Sequence, residues 1–310
     1  MAGIFSIFNS SPESRPVSSA ARGQVAGAVA AASASEQFLD FPLVPDSKLV
    51  SMPVPRNNIL APEISAGAVL VRDALSGVTL LEKNAEEKLP IASLTKLMTA
   101  LIVIENVSPD QEVEITNSDL AAAPYRINFP AGEKITVRHL LTAMLVSSAN
   151  DAALALSRAA LGNTPDFVEA MNRRARELGM SSTSFSNPVG FDSPDQYSTA
   201  SDMARLVEEF MNHTQLLDIV KMKSAVVESV SGRQKIKLYT TNRLMLERID
   251  IIGLKTGFTA EAKGSLIILV DRKPDDLAQT AYYSIILGSD DREGETKMLI
   301  KWVEDNFVWK

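Results

Sequence analysis

The period of the hydrophobic pattern changes three times along the chain and divides it into strand-like and helical blocks. Two short β-type runs at 66–72 and 78–82 flank Ser76-Gly77, which predicts an antiparallel hairpin. The segment 93–105 is apolar nearly all round, as expected of a buried helix that Ser93 can cap. The region that follows predicts four more helices, at Val137–Val146, Asp151–Ala160, Asp166–Leu178 and Ser201–Asn212.

Strand-like patterning then returns and is followed by one last amphipathic helix, at about 293–306. The predicted strands are Ser224–Val230, Gln234–Tyr239, Ile251–Thr256, Ser265–Asp271 and Tyr282–Leu287. Strands, a block of helices, and strands again indicate an α+β fold with a mixed or antiparallel sheet. We expect helices to cover the sheet and a cleft to lie where the inserted helical block meets it.

The first 55 residues lack this regular patterning. Residues 9–35 are rich in Ser, Ala, Pro and Gly, a composition that cannot repay the entropy of a fixed structure. We therefore predict a disordered linker over 1–55 and a single folded domain over 56–310. The apolar residues 2–8 are interpreted as the remnant of a trimmed export segment or membrane anchor, with a disordered cytoplasmic leader as the alternative.

Charge and composition exclude several classes of function. The formal net charge is −7 and no cluster of Lys and Arg is present, which argues against a nucleic-acid partner. With no cysteine and only two histidines, the chain has no disulfide, no thiolate nucleophile and no familiar zinc motif, so we expect neither a metal nor another cofactor. No apolar run reaches the roughly 18 residues of a membrane span.

Ser93 and Lys96 are the first candidates for chemistry. Residues three apart at a helix start share one face, so the lysine amine can lie beside the serine hydroxyl. Such an amine can act as the base for the hydroxyl if burial and neighbouring cations lower its pKa. The pattern S-x-x-K alone is expected about once by chance in a chain of this length, and a capping serine with a surface lysine is the alternative.

Two further polar elements follow. Ser148 and Asn150 lie in the predicted break between two helices, where they can relay a proton and bind a peptide amide, although both are also common turn residues. Lys255-Thr256-Gly257 ends a predicted strand; its cation and hydroxyl can bind a carboxylate, and its glycine allows a peptide to approach the strand edge. A strand end with a solvated lysine is the alternative reading.

The three elements together, in this order, resemble the signature of penicillin-binding proteins and class A β-lactamases. From about residue 62 onward the chain is similar to the low-molecular-weight penicillin-binding proteins, the serine-type D-Ala-D-Ala carboxypeptidases. The matching stretches are Ile91–Ala100, Ser148–Ala152, Asn187–Asp192, Tyr197–Met203 and Lys255–Thr259. The resemblance implies a β-lactamase-like fold, with a five-stranded antiparallel sheet flanked by helices and an inserted helical subdomain.

The resemblance also implies a role for each motif residue. Ser93 would be the acylated nucleophile and Lys96 its base, Ser148 and Lys255 would manage protons and charge, and Asn150 would hold the substrate amide.

The remaining implied roles concern substrate binding. Thr256 and Gly257 would bind the substrate at the strand, with Thr256 on its terminal carboxylate, and Arg292 would assist that carboxylate. The backbone N–H groups of Ser93 and Phe258 would form an oxyanion hole. His139 and His213, each within or at the end of a predicted helix, are not expected to be catalytic.

The function implied is removal of the terminal D-Ala from peptidoglycan stem peptides outside the cytoplasm, with β-lactams as covalent inhibitors. No predicted loop between Asn150 and Lys255 carries a Glu-x-x-x-Asn element that would match the loop glutamate of class A β-lactamases, so we do not expect efficient penicillin hydrolysis. Relatives of this type often carry a C-terminal amphipathic anchor, whereas the present sequence stops at Lys310 after the closing helix. We therefore expect any membrane attachment to be through the N-terminus. Two alternatives stay open: a D,D-endopeptidase, decided by cleft width and the loop at 124–130, and an inactive envelope scaffold.

Overall fold

A computed structural model describes residues 51–121, 124–248, 250–272 and 280–310. Its strands are β1 (Pro53–Pro55), β2 (Ala68–Asp73), β3 (Thr79–Lys83), β4 (Glu112–Glu114), β5 (Lys134–Thr136), β6 (Ser224–Glu228), β7 (Lys235–Tyr239), β8 (Ile251–Thr259), β9 (Lys263–Arg272), β10 (Thr280–Ser289) and β11 (Phe307–Trp309). Its helices are α1 (Lys96–Asn106), α2 (Asn117–Leu120), α3 (Val137–Val146), α4 (Asn150–Leu161), α5 (Thr164–Glu177), α6 (Ala200–Met211), α7 (Thr214–Val220), α8 (Leu244–Glu247) and α9 (Arg292–Asn306). A 3-10 turn, Ala92–Thr95, precedes α1.

The main sheet has five antiparallel strands in the order β3-β2-β10-β9-β8. This arrangement confirms the predicted α+β class and the five-stranded antiparallel sheet. Because β8 lies at the end of this order, only one of its long edges is paired within the sheet. The end of β8 that carries the Lys-Thr-Gly triplet lies against the turn before α1, since both elements are in contact there.

Alternate residues of the sheet supply two separate hydrophobic layers. Ile267 and Leu269 of β9 belong to the core shared with the helical block. Their neighbours Ile268 and Val270 face the opposite layer, which α9 closes with Leu299, Ile300 and Val303. Burial on both faces explains why β9 is a continuous apolar run in the sequence instead of an alternating one.

The helical block surrounds α1. This helix is buried from Lys96 through Val103 and contacts α3, α4, α5 and α6. The prediction that the segment after Ser93 is a buried helix is thereby confirmed. Three of the surrounding helices start as their capping residues predict, because Thr136, Asn163 and Thr199 accept the N–H groups of the residues three positions later.

One local prediction was wrong. Ser93 does not cap a helix; it lies inside the 3-10 turn, and its Oγ lies 3.0 Å from Lys96 Nζ. The predicted linker over 1–55 lies outside the described residues up to position 50, but Pro53–Pro55 form a strand paired with β11. Prolines are tolerated there because the pair is a two-stranded sheet with open edges.

Candidate active site

Three elements of the fold bring the sequence motifs into one cleft. Ser93 lies in the turn before α1, Ser148 in the break between α3 and α4, and Thr256 near the end of β8. The cleft is lined by Ser93, Tyr125, Ser148, Thr241, Thr256, Gly257, Phe258 and Arg292. The other predicted site residues, Lys96, Asn150 and Lys255, are buried behind this lining. All the residues singled out in the three motifs therefore meet in one region.

The Lys96 amine is the most constrained polar group of the site. Its Nζ lies 3.0 Å from Ser93 Oγ, 2.8 Å from Asn150 Oδ1 and 2.6 Å from the carbonyl oxygen of Val189. The side chain is fully buried. Burial lowers the pKa of Lys96 well below its usual 10.5, and the positive charge of Lys255 lowers the pKa further.

A neutral Lys96 fits these three partners. A neutral amine has two N–H donors and one lone pair; the Asn150 and Val189 oxygens can only accept, so they take the two donors. The lone pair then remains for the hydroxyl of Ser93. This geometry can activate a serine as a nucleophile.

Asn150 is fixed in the orientation that this arrangement needs. Its Nδ2 donates to the carbonyl of Pro124 at 2.5 Å, which turns Oδ1 toward Lys96. Its backbone N–H donates to the carbonyl of Tyr125 at 2.7 Å. The adjacent carboxylate of Asp151 accepts from the N–H groups of Ile127 and Asn128, so one short stretch of α4 holds the whole loop after residue 124.

The loop 186–196 supplies the carbonyl of Val189, a partner of Lys96 that the sequence analysis did not find. Asn187 Oδ1 accepts from the N–H groups of Val189, Gly190 and Phe191 and so shapes the loop. Gln196 ties the loop to the turn before α1, because its Nε2 donates to Thr95 Oγ1 at 2.7 Å. The signal for this loop was its similarity to the carboxypeptidases over 187–192, which carried no assigned role.

Gly190 is expected to be indispensable for the packing of this loop. It has a φ of +89°, and a Cβ there would lie 1.9 Å from the carbonyl oxygen of Ala92. Gly190→Ala should therefore lower the free energy of unfolding by at least about 3 kcal/mol, measured by urea denaturation. Gly162→Ala is the matched control: its φ is +82° but a Cβ there would meet nothing within 4 Å, so a loss of only about 1 kcal/mol is expected. Equal losses in the two variants would contradict the close packing.

Lys255, Thr256 and Arg292 form the cationic end of the cleft. Lys255 Nζ donates to the carbonyl of Thr256 at 3.0 Å, and the hydroxyl of Thr256 is 2.6 Å from that of Thr241, a lining residue that the sequence analysis missed. Arg292 donates from Nη1 to the carbonyl of Gly257 at 2.6 Å. A Cβ on Gly264 would lie 3.2 Å from Arg292 Cβ, so this glycine gives Arg292 room beside β9.

The buried Lys255 affects the titration of Lys96. Burial lowers the pKa of Lys255 from 10.5 to about 7, and the Arg292 guanidinium lowers it in the same direction. Because Lys255 also lowers the pKa of Lys96, its removal should raise that pKa. In Lys255→Met, the acid limb of the pH profile for acylation at saturating β-lactam should therefore move to higher pH, as stopped-flow acylation rates would record. Lys221→Met, at an exposed lysine outside the cleft, is the control; an unmoved limb in Lys255→Met would contradict the coupling.

Gly257 allows β8 to approach the nucleophile turn. A Cβ on Gly257 would lie 3.0 Å from the carbonyl oxygen of Ile91 and 3.2 Å from the backbone nitrogen of Ser93. The glycine is thus required by packing within the protein at this point. It brings the backbone of the Lys-Thr-Gly strand beside the N–H of Ser93.

Neither histidine lines the cleft. His139 Nδ1 lies 3.0 Å from the carbonyl of Glu228, and His213 begins α7 with Nε2 3.5 Å from Glu209. Within the described ranges, no three His, Asp or Glu side chains are grouped so that they could hold a metal ion. None of the described helices is both long enough and apolar enough to cross a bilayer.

Comparison with known proteins shows which family this chain belongs to. The sequence model of the family described as D-alanyl-D-alanine carboxypeptidase matches residues 56–280. The carboxypeptidase DacF of Bacillus subtilis is 32% identical over 213 residues, covering 67% of this chain and 54% of that protein. A D-alanyl-D-alanine endopeptidase of Pseudomonas aeruginosa is 33% identical and is covered over 72% of its length.

The fold agrees with a solved relative. The structure of the Streptomyces K15 DD-transpeptidase superposes with a TM-score of 0.74 at 26% identity, covering 80% of this chain and all of that one. The chain spans about half the length of the Bacillus subtilis relative. Since the family model matches well over half of the chain, the resemblance stated from the motifs is confirmed. This chain belongs to the D-alanyl-D-alanine carboxypeptidase family.

Proposed function

We propose that the chain is a serine D,D-carboxypeptidase that removes the terminal D-Ala from peptidoglycan stem pentapeptides through an acyl-enzyme on Ser93. The observation that carries the proposal is the 3.0 Å contact between Ser93 Oγ and a fully buried Lys96 amine with a lowered pKa. A buried base beside an accessible hydroxyl is what nucleophilic catalysis by serine requires. The catalytic domain is assigned to residues 56–310, as the sequence predicts.

The acylation step begins with transfer of the Ser93 proton to neutral Lys96. The serine oxygen then bonds to the carbonyl carbon of the penultimate D-Ala, and the developing oxyanion is held by the N–H groups of Ser93 and Phe258. The amide bond to the terminal D-Ala breaks, and the proton reaches its leaving amine through Ser148. Water afterwards hydrolyses the Ser93 ester, releasing the shortened peptide and restoring the hydroxyl.

Substrate binding is assigned to the cationic end of the cleft. Lys255 and Arg292 supply positive charge there, and the hydroxyl of Thr256 faces the same cleft. A terminal carboxylate would accept from Thr256 while these cations balance its charge. Asn150 is assigned the positioning of Lys96 and not the binding of the peptide amide that the resemblance implied, because the residue is buried, its Oδ1 accepts from Lys96 and its Nδ2 donates to the carbonyl of Pro124.

β-Lactams are the second class of ligand in this proposal. A β-lactam carbonyl that acylates Ser93 forms a serine ester that carries the opened ring. The one Glu-x-x-x-Asn spacing between Asn150 and Lys255 starts at Glu208 of α6, whose carboxylate accepts from Tyr283 and Arg72 outside the cleft, so it is not placed to activate water against this ester. The covalent complex should therefore persist. The substrate implies an extracytoplasmic location and a part in cell-wall biogenesis and cell shape.

One assay separates carboxypeptidase from endopeptidase. The protein is incubated with a stem pentapeptide and, separately, with a crosslinked muropeptide dimer, and free D-Ala and cleaved dimer are quantified. The proposal predicts D-Ala release from the pentapeptide at the higher kcat/KM. Cleavage of the dimer without D-Ala release would assign the activity named for the Pseudomonas aeruginosa relative. No reaction with either substrate by the folded protein would overturn both readings.

A further inference from the structure

Thr99 is a buried polar side chain to which the catalytic scheme assigns no role. It lies on α1 three positions after Lys96, so the two side chains project from one face of the helix. Its relative exposure is 0%, and its hydroxyl donates to the carbonyl of Pro188 at 2.7 Å. The other acceptor within reach, the carbonyl of Thr95 in the preceding turn, is 3.5 Å away. The hydroxyl therefore ties a distant loop to α1 more closely than it binds its own helix.

The loop 186–196 places two consecutive carbonyls against this face of α1. The carbonyl of Pro188 accepts from Thr99, and that of Val189 accepts from Lys96 Nζ at 2.6 Å. Because a peptide unit is planar, a bond that fixes the carbonyl of Pro188 also fixes the N–H of Val189. The peptide unit that precedes Val189 thus cannot turn unless the bond from Thr99 breaks.

Asn187 holds the N–H side of the same backbone. Its Oδ1 accepts from the N–H of Val189 at 3.2 Å and from that of Gly190 at 2.8 Å. Thr99 and Lys96 hold the C=O side, so both peptide units that flank Val189 are bound at each end. Within this set of bonds, Thr99 is the group on α1 that holds the loop without taking part in proton transfer.

The position of the Val189 carbonyl determines where the lone pair of Lys96 points. A neutral amine gives its two N–H groups to the oxygens of Asn150 and Val189, and its lone pair then faces Ser93. If the Val189 oxygen moved away, one N–H would lose its acceptor and the amine would be free to rotate about its Cε–Nζ bond. A misplacement of about 1 Å in a catalytic arrangement can cost about 10²-fold in rate.

We propose that Thr99 is a positioning residue, whose hydrogen bond to Pro188 keeps the Val189 carbonyl in place as the acceptor that aims the Lys96 amine at Ser93. This inference rests on the proposed function, which makes that amine the base. Thr99 is buried and is not part of the cleft lining, so it acts through Lys96 and not on the substrate.

The first test is the rate of acylation at saturating β-lactam, measured by stopped flow per folded active site. Thr99→Val removes the hydroxyl and keeps the shape of the side chain, and it should slow this step by about ten- to a hundredfold. Thr99→Ser keeps the hydroxyl and should retain the wild-type rate. Thr142→Val is the matched control: Thr142 is also a buried helical threonine, but it donates to Arg138 of its own helix at 2.8 Å, so its loss should leave the rate unchanged.

The second test is the pH profile of the same step. A carbonyl acceptor stabilises a protonated amine more than a neutral one, so a loosened Val189 carbonyl should lower the pKa of Lys96 further. The acid limb of the profile in Thr99→Val should therefore move to lower pH by at least about 0.5 unit, opposite to the direction expected for Lys255→Met. A loss of stability alone would not move the limb, because only folded sites are acylated.

The charged groups near α1 do not provide another route to this shift. Lys255 on β8 is the charged group that lowers the pKa of Lys96, and it donates to the carbonyl of Thr256. Charged or titratable groups on the elements packed around α1 are bound to partners other than Lys96; these are His139 on α3, Asp151 on α4, Arg174 on α5, Asp202 on α6 and Asp192 on the loop. None of their partners is Thr99, so Thr99→Val leaves these contacts in place.

The titration of Lys96 itself separates this inference from the proposed function. In protein labelled with ¹³C-lysine, the Cε signal of Lys96 is identified by its absence from Lys96→Met, and its pH midpoint should be lower in Thr99→Val than in the wild type. A lowered midpoint supports the positioning role even if β-lactam does not acylate the wild type, a result that counts only against the proposed function. Thr99→Ala removes the same donor without placing a methyl group against the Pro188 carbonyl, and it replaces Thr99→Val if that variant does not fold. An unmoved midpoint would overturn the inference, as would equal losses of rate in Thr99→Val and Thr99→Ser.

Discussion

Replacing Ser93 with alanine is expected to lower the rate of D-Ala release by about 10⁶-fold, the loss typical of removing a nucleophile from a catalytic unit. Among the described residues, the partners of the Lys96 amine are this hydroxyl, the amide oxygen of Asn150 and the carbonyl of Val189. Of these, the hydroxyl is the group that can bond covalently to the substrate and then be restored by water. The substitution removes one oxygen from a half-buried turn residue, so the unfolding midpoint should change little. A coupled assay of free D-Ala measures the rate.

The control for this variant is Ser231→Ala. Ser231 is an exposed turn serine outside the cleft, and its loss should leave the rate unchanged. A folded Ser93→Ala protein that releases D-Ala within about tenfold of the wild-type rate would exclude Ser93 as the nucleophile.

Replacing Lys96 with alanine is expected to slow acylation by β-lactam almost as severely as Ser93→Ala. The amine is the buried base beside the Ser93 hydroxyl. Its two other partners, the amide oxygen of Asn150 and the carbonyl oxygen of Val189, are too weakly basic to take its place. Loss of a general base alone typically lowers a rate by about 10²–10⁴-fold. The effects of removing members of one catalytic unit are not additive, so removing one member can cost nearly as much as removing all of them. Second-order acylation rates with a fluorescent penicillin measure the effect.

Lys301→Ala provides the comparison for Lys96→Ala. Lys301 is an exposed lysine of α9 paired with Asp305, and its removal should leave acylation unchanged. Acylation of Lys96→Ala at a rate near that of the wild type at neutral pH would assign the base to Ser148 acting with Lys255.

The hydrophobic pattern along the chain was sufficient to predict those helices and strands that are determined by residues close to one another in the sequence. Helix α3 begins and ends at the predicted residues, because a threonine cap and continuous apolar periodicity mark it. The buried strands β8, β9 and β10 were found from their apolar runs, although each proved three or four residues longer than predicted. The pairing of β1 with β11 could not be predicted, since it joins residues about 250 positions apart and is only three residues long.

The same distinction applies to the candidate site: some of its groups could be predicted from their spacing in the sequence, and others could not. Ser93 and Lys96 could be paired from their spacing, because one helical turn brings them together whatever the rest of the chain does. The carbonyl of Val189 could not be found, because a backbone oxygen has no residue-type signature and reaches Lys96 only through the loop that Asn187 shapes. Thr241 was missed for a related reason: a single threonine after a strand gives no indication that it will lie beside Thr256.

The most direct test of the central claim is mass spectrometry of the wild-type protein after exposure to benzylpenicillin. One covalent adduct per chain is expected, located by peptide mapping to the peptide that contains Ser93 and absent from Ser93→Ala. A folded protein that forms no adduct, or one that carries it on another residue, would contradict the assignment of Ser93 as the nucleophile.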